Sequence, residues 1–244
     1  MKRKVENEGV YTVVEEDTTQ SHLPTSWSNK WHLRQTTNLL GLFQLFLVIL
    51  FATVTDSNEV LDPITAQGTG SEGYNFFIGV EIMMFIGFGY LMTFQKWYGL
   101  GAVGLTMMVT ALGLQWAVFT ESFFDQIMNN PTGSGWHLVR FNIFSMLSAL
   151  YAISAVLITF GAVIGKLSPF QLIALTIVEL FFQSMNYKVF MSGALNVADM
   201  GGTYLCHMFG AYFGLAVAYM LGKPQSEPIV GTTPDIFALI GTVR

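Results

Sequence analysis

The chain has 244 residues, 52% of them hydrophobic and 11% charged, with a net charge of −5 and a mean hydropathy of +0.50. A soluble domain carries roughly 25% charged residues, so this chain has too few to cover a water-facing surface, and lipid is the solvent implied for most of it. The acidic balance excludes a nucleic-acid partner, and one cysteine, Cys206, excludes an intramolecular disulfide framework.

Residues 1–37 form a polar tail that mixes Lys2, Arg3 and Lys4 with Glu6, Glu8, Glu15, Glu16 and Asp17. Its first apolar run comes too late for a secretory signal, so the tail reads as solvated and cytoplasmic. A membrane-spanning helix needs roughly 20 apolar residues. Six runs meet this, at about 38–55, 76–94, 100–120, 141–165, 169–191 and 201–222, with Pro169 at a first-turn position that tolerates its missing N–H. Residues 223–244 hold a loop and, from Asp235, a seventh run that stops after one or two turns.

Orientation follows from the cations. The tail has Lys2, Arg3, Lys4, Lys30 and Arg34, whereas the loop after the first run has none and carries Asp56, Glu59, Asp62 and Glu72. Lys96, Lys166 and Lys223 fall in later loops on the tail's side, and Arg140 and Lys188 on the other. The expectation is a cytoplasmic N-terminus, with 56–75 and 121–138 outside. Gly87, Gly89, Gly101, Gly104, Gly113, Gly201, Gly202, Gly210 and Gly214 mark places where helices can approach closely, and Gly210 and Gly214 form a Gly-x-x-x-Gly packing signal.

Ionisable groups inside a bilayer are costly and are functional candidates by default. Here they are Glu81 in the second run, Glu179 in the fifth, and Asp199 and His207 at and inside the sixth. His207 can donate at one ring nitrogen and accept at the other, which suits a pore for a small polar solute. It can equally be a histidine bonded to a neighbouring helix. Asp199 before Gly201-Gly202 reads as a helix N-cap, or as the outer end of a cation-attracting column. In an α-helix the eight residues to His207 rise about 12 Å and return to nearly the same face. Glu179 shares a face with Gln183, and is either a protonated acid bonded to a neighbouring backbone or a functional acid. Cys206 in an apolar run reads as a small hydrophobe. His22, His32, His137 and His207 lack metal-ligand spacing. With no nucleotide loop and no nucleophile elbow, no cofactor and no enzymatic activity are expected.

Several segments together resemble the Rh glycoprotein branch of the ammonium transporter family. MMFIGFGYLMTFQKWYGLGAVGLT is similar to the family's FVGFGFLMTF…RYGFSAVG, and ALGLQWA to FGIQWA. GAVIGKLSPFQL is similar to GAVLGKVSPIQL, and ADMGGTYLCHMFGAYFGLAVAYML to DAGG…IHTFGAYFGL. The resemblance covers about residues 38–242 in order and spacing. It implies an all-α integral membrane protein, a leading helix followed by the first five-helix inverted repeat of the ammonium transporter fold. It further implies ammonium or ammonia as substrate, a homotrimer and a plasma-membrane location.

In the family, His207 matches the first of two pore histidines, Asp199 the acid that organises the vestibule, and Tyr151 falls where an external Phe gates the pore. Glu81 stands where the family often has His, and Asn186-Tyr187 where it has Asn-Glu. The second repeat, with its histidine and gate, is expected to lie outside this chain. The chain would then be a fragment, an incomplete gene model or a short isoform. It would be either part of a conducting channel or a half-length, non-conducting form that associates with full-length trimers and modulates them.

Overall fold

The computed structural model describes residues 30–56, 69–94, 99–129, 139–191, 195, 197–223 and 232–243. Most of the polar tail, and Lys96, lie outside the described residues. Helix α1 is Lys30–Val54. Helix α2 begins at Thr69–Ile82, passes through a π-helical turn (Met83–Phe88) and Gly89–Leu91, and ends in a 3-10 turn, Met92–Phe94. Helices α3 (Gly101–Asn129), α4 (Ile143–Val163) and α5 (Pro169–Met191) are regular. Helix α6 joins a 3-10 turn (Met200–Gly202), a π-helical turn (Thr203–Met208) and an α-helix (Phe209–Leu221), and α7 is Thr232–Val243. One two-residue parallel bridge, Thr55–Asp56 with Val139–Arg140, ties the end of α1 to the segment before α4.

Several expected boundaries move. Helix α1 starts at Lys30 rather than near 38, because Lys, Arg and Gln are good helix formers and helical backbone bonds continue outside lipid. Helix α3 runs on to Asn129 instead of stopping at 120, so the first part of the expected outer loop 121–138 is helical. Its 29 residues span about 43 Å, against a hydrocarbon core of about 30 Å. The surplus carries Asp125, whose Oδ1 accepts from Lys188 Nζ at 2.8 Å, a tie to the end of α5. The seventh run starts at Thr232 and makes 12 residues of helix, longer than its apolar segment suggests.

Among the described residues, five helices are long and apolar enough to cross a membrane: Arg34–Val54, Gly73–Phe94, Gly101–Met128, Ile143–Val163 and Met200–Leu221. The fifth expected span, α5, is not among them. It has the length, but Thr176, Glu179, Gln183 and Ser184 lower its hydropathy, and all four are buried against the bundle. Its other face shows Val178, Phe182 and Val189 to the outside.

Helix α4 is the centre. Its start is fixed by a reciprocal cap, with Asn142 Oδ1 accepting from Ser145 N at 2.9 Å and Ser145 Oγ accepting from Asn142 N at 3.0 Å. Ala149, Leu150, Ile153, Val156 and Leu157 are fully buried, so α4 is apolar all round, as a core helix must be. Helices α3 and α5 pack on it, and a Cβ on Gly113 would meet Ile153 Cγ1 at 3.1 Å and Leu180 Cδ1 at 3.3 Å. In lipid, apolar transfer does not drive helices together, so packing and interhelical hydrogen bonds must. Trp116 Nε1 donates to Ile177 O at 3.0 Å, and the hydroxyls of Thr120 and Ser184 are paired at 2.8 Å. Helix α7 lies on the irregular end of α2, where Thr93 Oγ1 donates to Pro234 O at 2.7 Å.

Candidate functional site

The site is built at the entrance to α6. Asp199 is extended (φ −119°), and Gly201 (φ 74°) and Gly202 (φ 69°) follow in the left-handed region. A side chain there costs about 1–2 kcal/mol per residue, which is why two glycines stand at this point. A Cβ on Gly202 would also lie 3.1 Å from Cys206 Sγ. The reversal turns the Asp199 carboxylate back over its own helix. Oδ2 accepts from Tyr204 N at 3.0 Å and Leu205 N at 2.9 Å, and so satisfies two of the N–H groups a helix start leaves open. Oδ1 is buried and has no hydrogen-bond partner among the described residues.

This geometry corrects the expected column. Residues 199–202 are not α-helical and 203–208 form a π turn, so the rise and phase of eight α-helical residues do not apply. Asp199 sits on the backbone start of α6 and caps it, and His207 lies on the π turn itself. π-helical turns concentrate at functional sites.

His207 is exposed on this turn. Its Nδ1 is 3.1 Å from Gly202 O. A carbonyl oxygen can only accept, so Nδ1 is the donor in this bond, and in a neutral ring Nε2 is then the acceptor. Beside His207 the outer face of α6 carries Tyr204, Met208, Tyr212, Leu215 and Tyr219, all exposed.

Behind the turn lies α4. Cys206 is buried, and its thiol donates to Tyr151 O at 3.4 Å, so the expected small hydrophobe is also an interhelical donor. Tyr151 is half-buried, and its carbonyl also accepts from Ser154 Oγ at 2.6 Å. The structure therefore gathers Tyr151, Asp199 and His207 around one turn. Glu179 is fully buried one layer away, and its Oε1 lies 2.5 Å from Thr159 Oγ1. Glu81 is half-buried on α2 and shares no hydrogen bond with these residues among those described.

Thr159 was not legible as a site residue, since helical threonines usually bond their own preceding turn. Here it reaches Gly210 O on α6 at 2.9 Å. The Gly210/Gly214 signal does coincide with a close approach. A Cβ at 210 would sit 2.5 Å from Ala155 O, and one at 214 would sit 3.0 Å from Thr159 Cα.

The chain matches the Ammonium Transporter Family over residues 46–243. It is 32% identical over 219 residues to ammonium transporter Rh type C of Xenopus tropicalis, covering 83% of this chain and 45% of that protein. It is 34% identical over 215 residues to ammonium transporter Rh type B of Takifugu rubripes, with the same coverage. It is 35% identical over 217 residues to ammonium transporter Rh type A of Canis lupus familiaris, covering 83% of this chain and 50% of that one. These relatives are named as transporters rather than enzymes. The solved Rh50 structure from Nitrosomonas europaea is similar with a TM-score of 0.61 at 29% identity, covering 71% of this chain and 45% of that one. The chain thus spans about half the length of the relatives it matches. Its α1 is the leading helix, and α2 to α6 form the first five-helix unit of the fold. It belongs to the Ammonium Transporter Family, within the Rh branch, and is similar to the N-terminal half of that branch's members.

Proposed function

We propose that this chain supplies one half of an Rh-type pathway for ammonium and ammonia, with His207 lining it and Asp199 and Tyr151 at its outer mouth. The observation that carries this is His207 itself. It lies within the family match, on an exposed π turn, with Nδ1 tied to Gly202 O and Nε2 open. A neutral ring in that state can accept one N–H from a passing amine without adding charge to an apolar channel.

Asp199 divides its labour. Oδ2 holds the start of α6, while the buried Oδ1 has no partner among the described residues and can accept from an ammonium N–H that reaches it. The ion sheds a proton before the apolar section, because an isolated ion in a low-dielectric interior costs on the order of tens of kcal/mol. Neutral ammonia then passes His207, and the proton stays outside or moves along imidazoles. The Tyr151 ring, at the family's gate position, narrows the mouth.

The orientation is N-terminus in, in a plasma membrane, and the complete protein is a homotrimer. Lys188, one of the two cations that fall on the outer side against the bias, is paired with Asp125 and so acts as a local tie. The chain is not a complete pore alone, because pores of inverted-repeat transporters lie between two repeats and the relatives are about twice its length. The second reading is a non-conducting form that associates with full-length trimers and modulates them.

The test is ammonium-driven pH change in vesicles. The 244-residue chain alone should match empty vesicles. Co-expressed with the second half of an Rh relative, it should conduct, and His207→Ala should remove that flux. Flux from the chain alone overturns the half-pore. Reduced flux when the chain is added to full-length relatives, with none from the paired halves, favours the modulator.

A further inference from the structure

The hydrogen bonds around Thr159 do not balance if Glu179 is ionised. Thr159 Oγ1 lies 2.5 Å from Glu179 Oε1 and 2.9 Å from Gly210 O, both hydrogen-bond distances for a hydroxyl. The hydroxyl has one hydrogen, and the carboxylate and the carbonyl would both be acceptors. One of the two short contacts would then be oxygen against oxygen with nothing between. Glu179 Oε2 and the neighbouring Gln183 Oε1, one turn along α5, are also buried without a donor among the described residues. Glu179 and Thr159 are both fully buried, and no cation bonds to the carboxyl among the described residues. A buried carboxylate with no cation beside it is an arrangement proteins avoid strongly.

We propose that Glu179 is the neutral carboxylic acid, donating to Thr159 Oγ1 while Thr159 donates to Gly210 O, and that this chain of bonds positions α6 and therefore His207. One added proton removes the conflict at Thr159, since Glu179 Oε1 then donates, Thr159 Oγ1 accepts and donates, and Gly210 O accepts. The chain links α5, α4 and α6 in a single line. It ends three residues from His207, on the first turn after the π turn. Its reach depends on Gly210, where a Cβ would come 2.5 Å from Ala155 O. Glu179 and Thr159 are positioning residues, acting through the backbone of α6. The arrangement is internal to this chain and stands or falls separately from the transport reading, since neither readout below measures flux.

The test uses the full 244-residue chain in vesicles at neutral pH. Infrared spectra should show a carboxylic-acid carbonyl band that shifts in heavy water and is lost in Glu179→Gln. In Thr159→Val the band should persist at a changed frequency, because its partner is gone. Nitrogen-15 spectra of the histidine ring, with His207 identified by its loss in His207→Ala, should show the Nδ1–H form. That signal should be preserved in Glu179→Gln, whose amide can still donate to Thr159, and displaced in Thr159→Val. Absence of any acid band sensitive to either substitution means that Glu179 is ionised and overturns the proposal. A His207 signal that does not move in Thr159→Val overturns the positioning role. If Glu179→Gln does not insert, the response of the native band to Thr159→Val decides the question alone.

Discussion

In α5 the polar side chains Thr176, Glu179, Gln183 and Ser184 all point into the bundle, while Val178, Phe182 and Val189 face outward. In α6 the arrangement is reversed. Gly210 and Gly214 are buried against α4, and Tyr204, His207, Tyr212 and Tyr219 lie on the exposed side. Helix α6 meets the hydropathy criterion for a span and α5 does not, and the polar groups of α5 are the ones turned inside the bundle. Its hydroxyls and acid bond within the bundle, to Thr120 and Thr159. Under the proposed function, the exposed face of α6 is where this chain meets a pathway or the rest of its fold, and α5 is scaffold.

The sharpest way to break this comparison is at the seam between α6 and its support. Gly210→Ala puts a Cβ about where Ala155 O approaches to 2.5 Å. It should destabilise the inserted chain by about 1–3 kcal/mol, the range for overpacking, read as a lowered midpoint in detergent-unfolding curves. The same substitution at Gly104, exposed on α3 with nothing within 4 Å of its Cβ, should stabilise by about 0.5–1 kcal/mol. Equal effects at the two glycines would show that α6 is not held by close backbone contact.

A smaller effect is expected at the head of α6. Asp199→Ala removes the acceptor for Tyr204 N and Leu205 N and should cost about 0.5–2 kcal/mol. Asn caps about as well as Asp, so Asp199→Asn should restore most of that and lose only the charge. An Asn variant as unstable as the Ala variant would mean that the charge, not the cap, supports the turn.

His207→Ala should cost less still, about 1 kcal/mol or under, because it removes one exposed bond to Gly202 O. In the paired-halves assay it should nevertheless abolish flux. A large stability loss with unchanged flux per inserted molecule would turn the comparison around and make His207 a structural residue.

The smallest change is expected for Lys188→Met. Its partner Asp125 is 48% exposed, and pairs of that kind contribute about 0–1 kcal/mol. A loss well above that range would give the outer end of α5 a larger structural role than its exposure indicates.

Much of the scaffold was legible from residues alone. Apolar runs of spanning length, polar punctuation and the Gly-x-x-x-Gly signal depend on composition and short spacing, and the helix edges fall within a few residues where Asn142 or Pro169 marks a start. His207 and Asp199 stood out because an ionisable group in an apolar run is costly in any fold. The bounds of α1 and α3 were not legible, since nothing in lipid-based reasoning stops a helix once it has left lipid. Nor was the reversal at Gly201-Gly202. Left-handed glycines and a π turn look like ordinary helix in a hydropathy pattern, and only the resulting backbone shows Asp199 folded onto the N–H groups of residues 204 and 205.

The amino-acid sequence by itself determined that the chain is a helical integral membrane protein and the family to which its motifs are similar. These follow from the cost of polar atoms in lipid, which is local and additive. Tertiary structure alone decided which polar groups are used up inside the fold and which remain open. Whether Glu179 faces Thr159 or lipid, and whether His207 faces a neighbour or the outside, depends on helix rotation. Rotation is set by close contacts between segments about 50 residues apart, such as Gly210 against Ala155 and Thr159. No local pattern encodes that pairing, because each partner is chosen by the shape of the other.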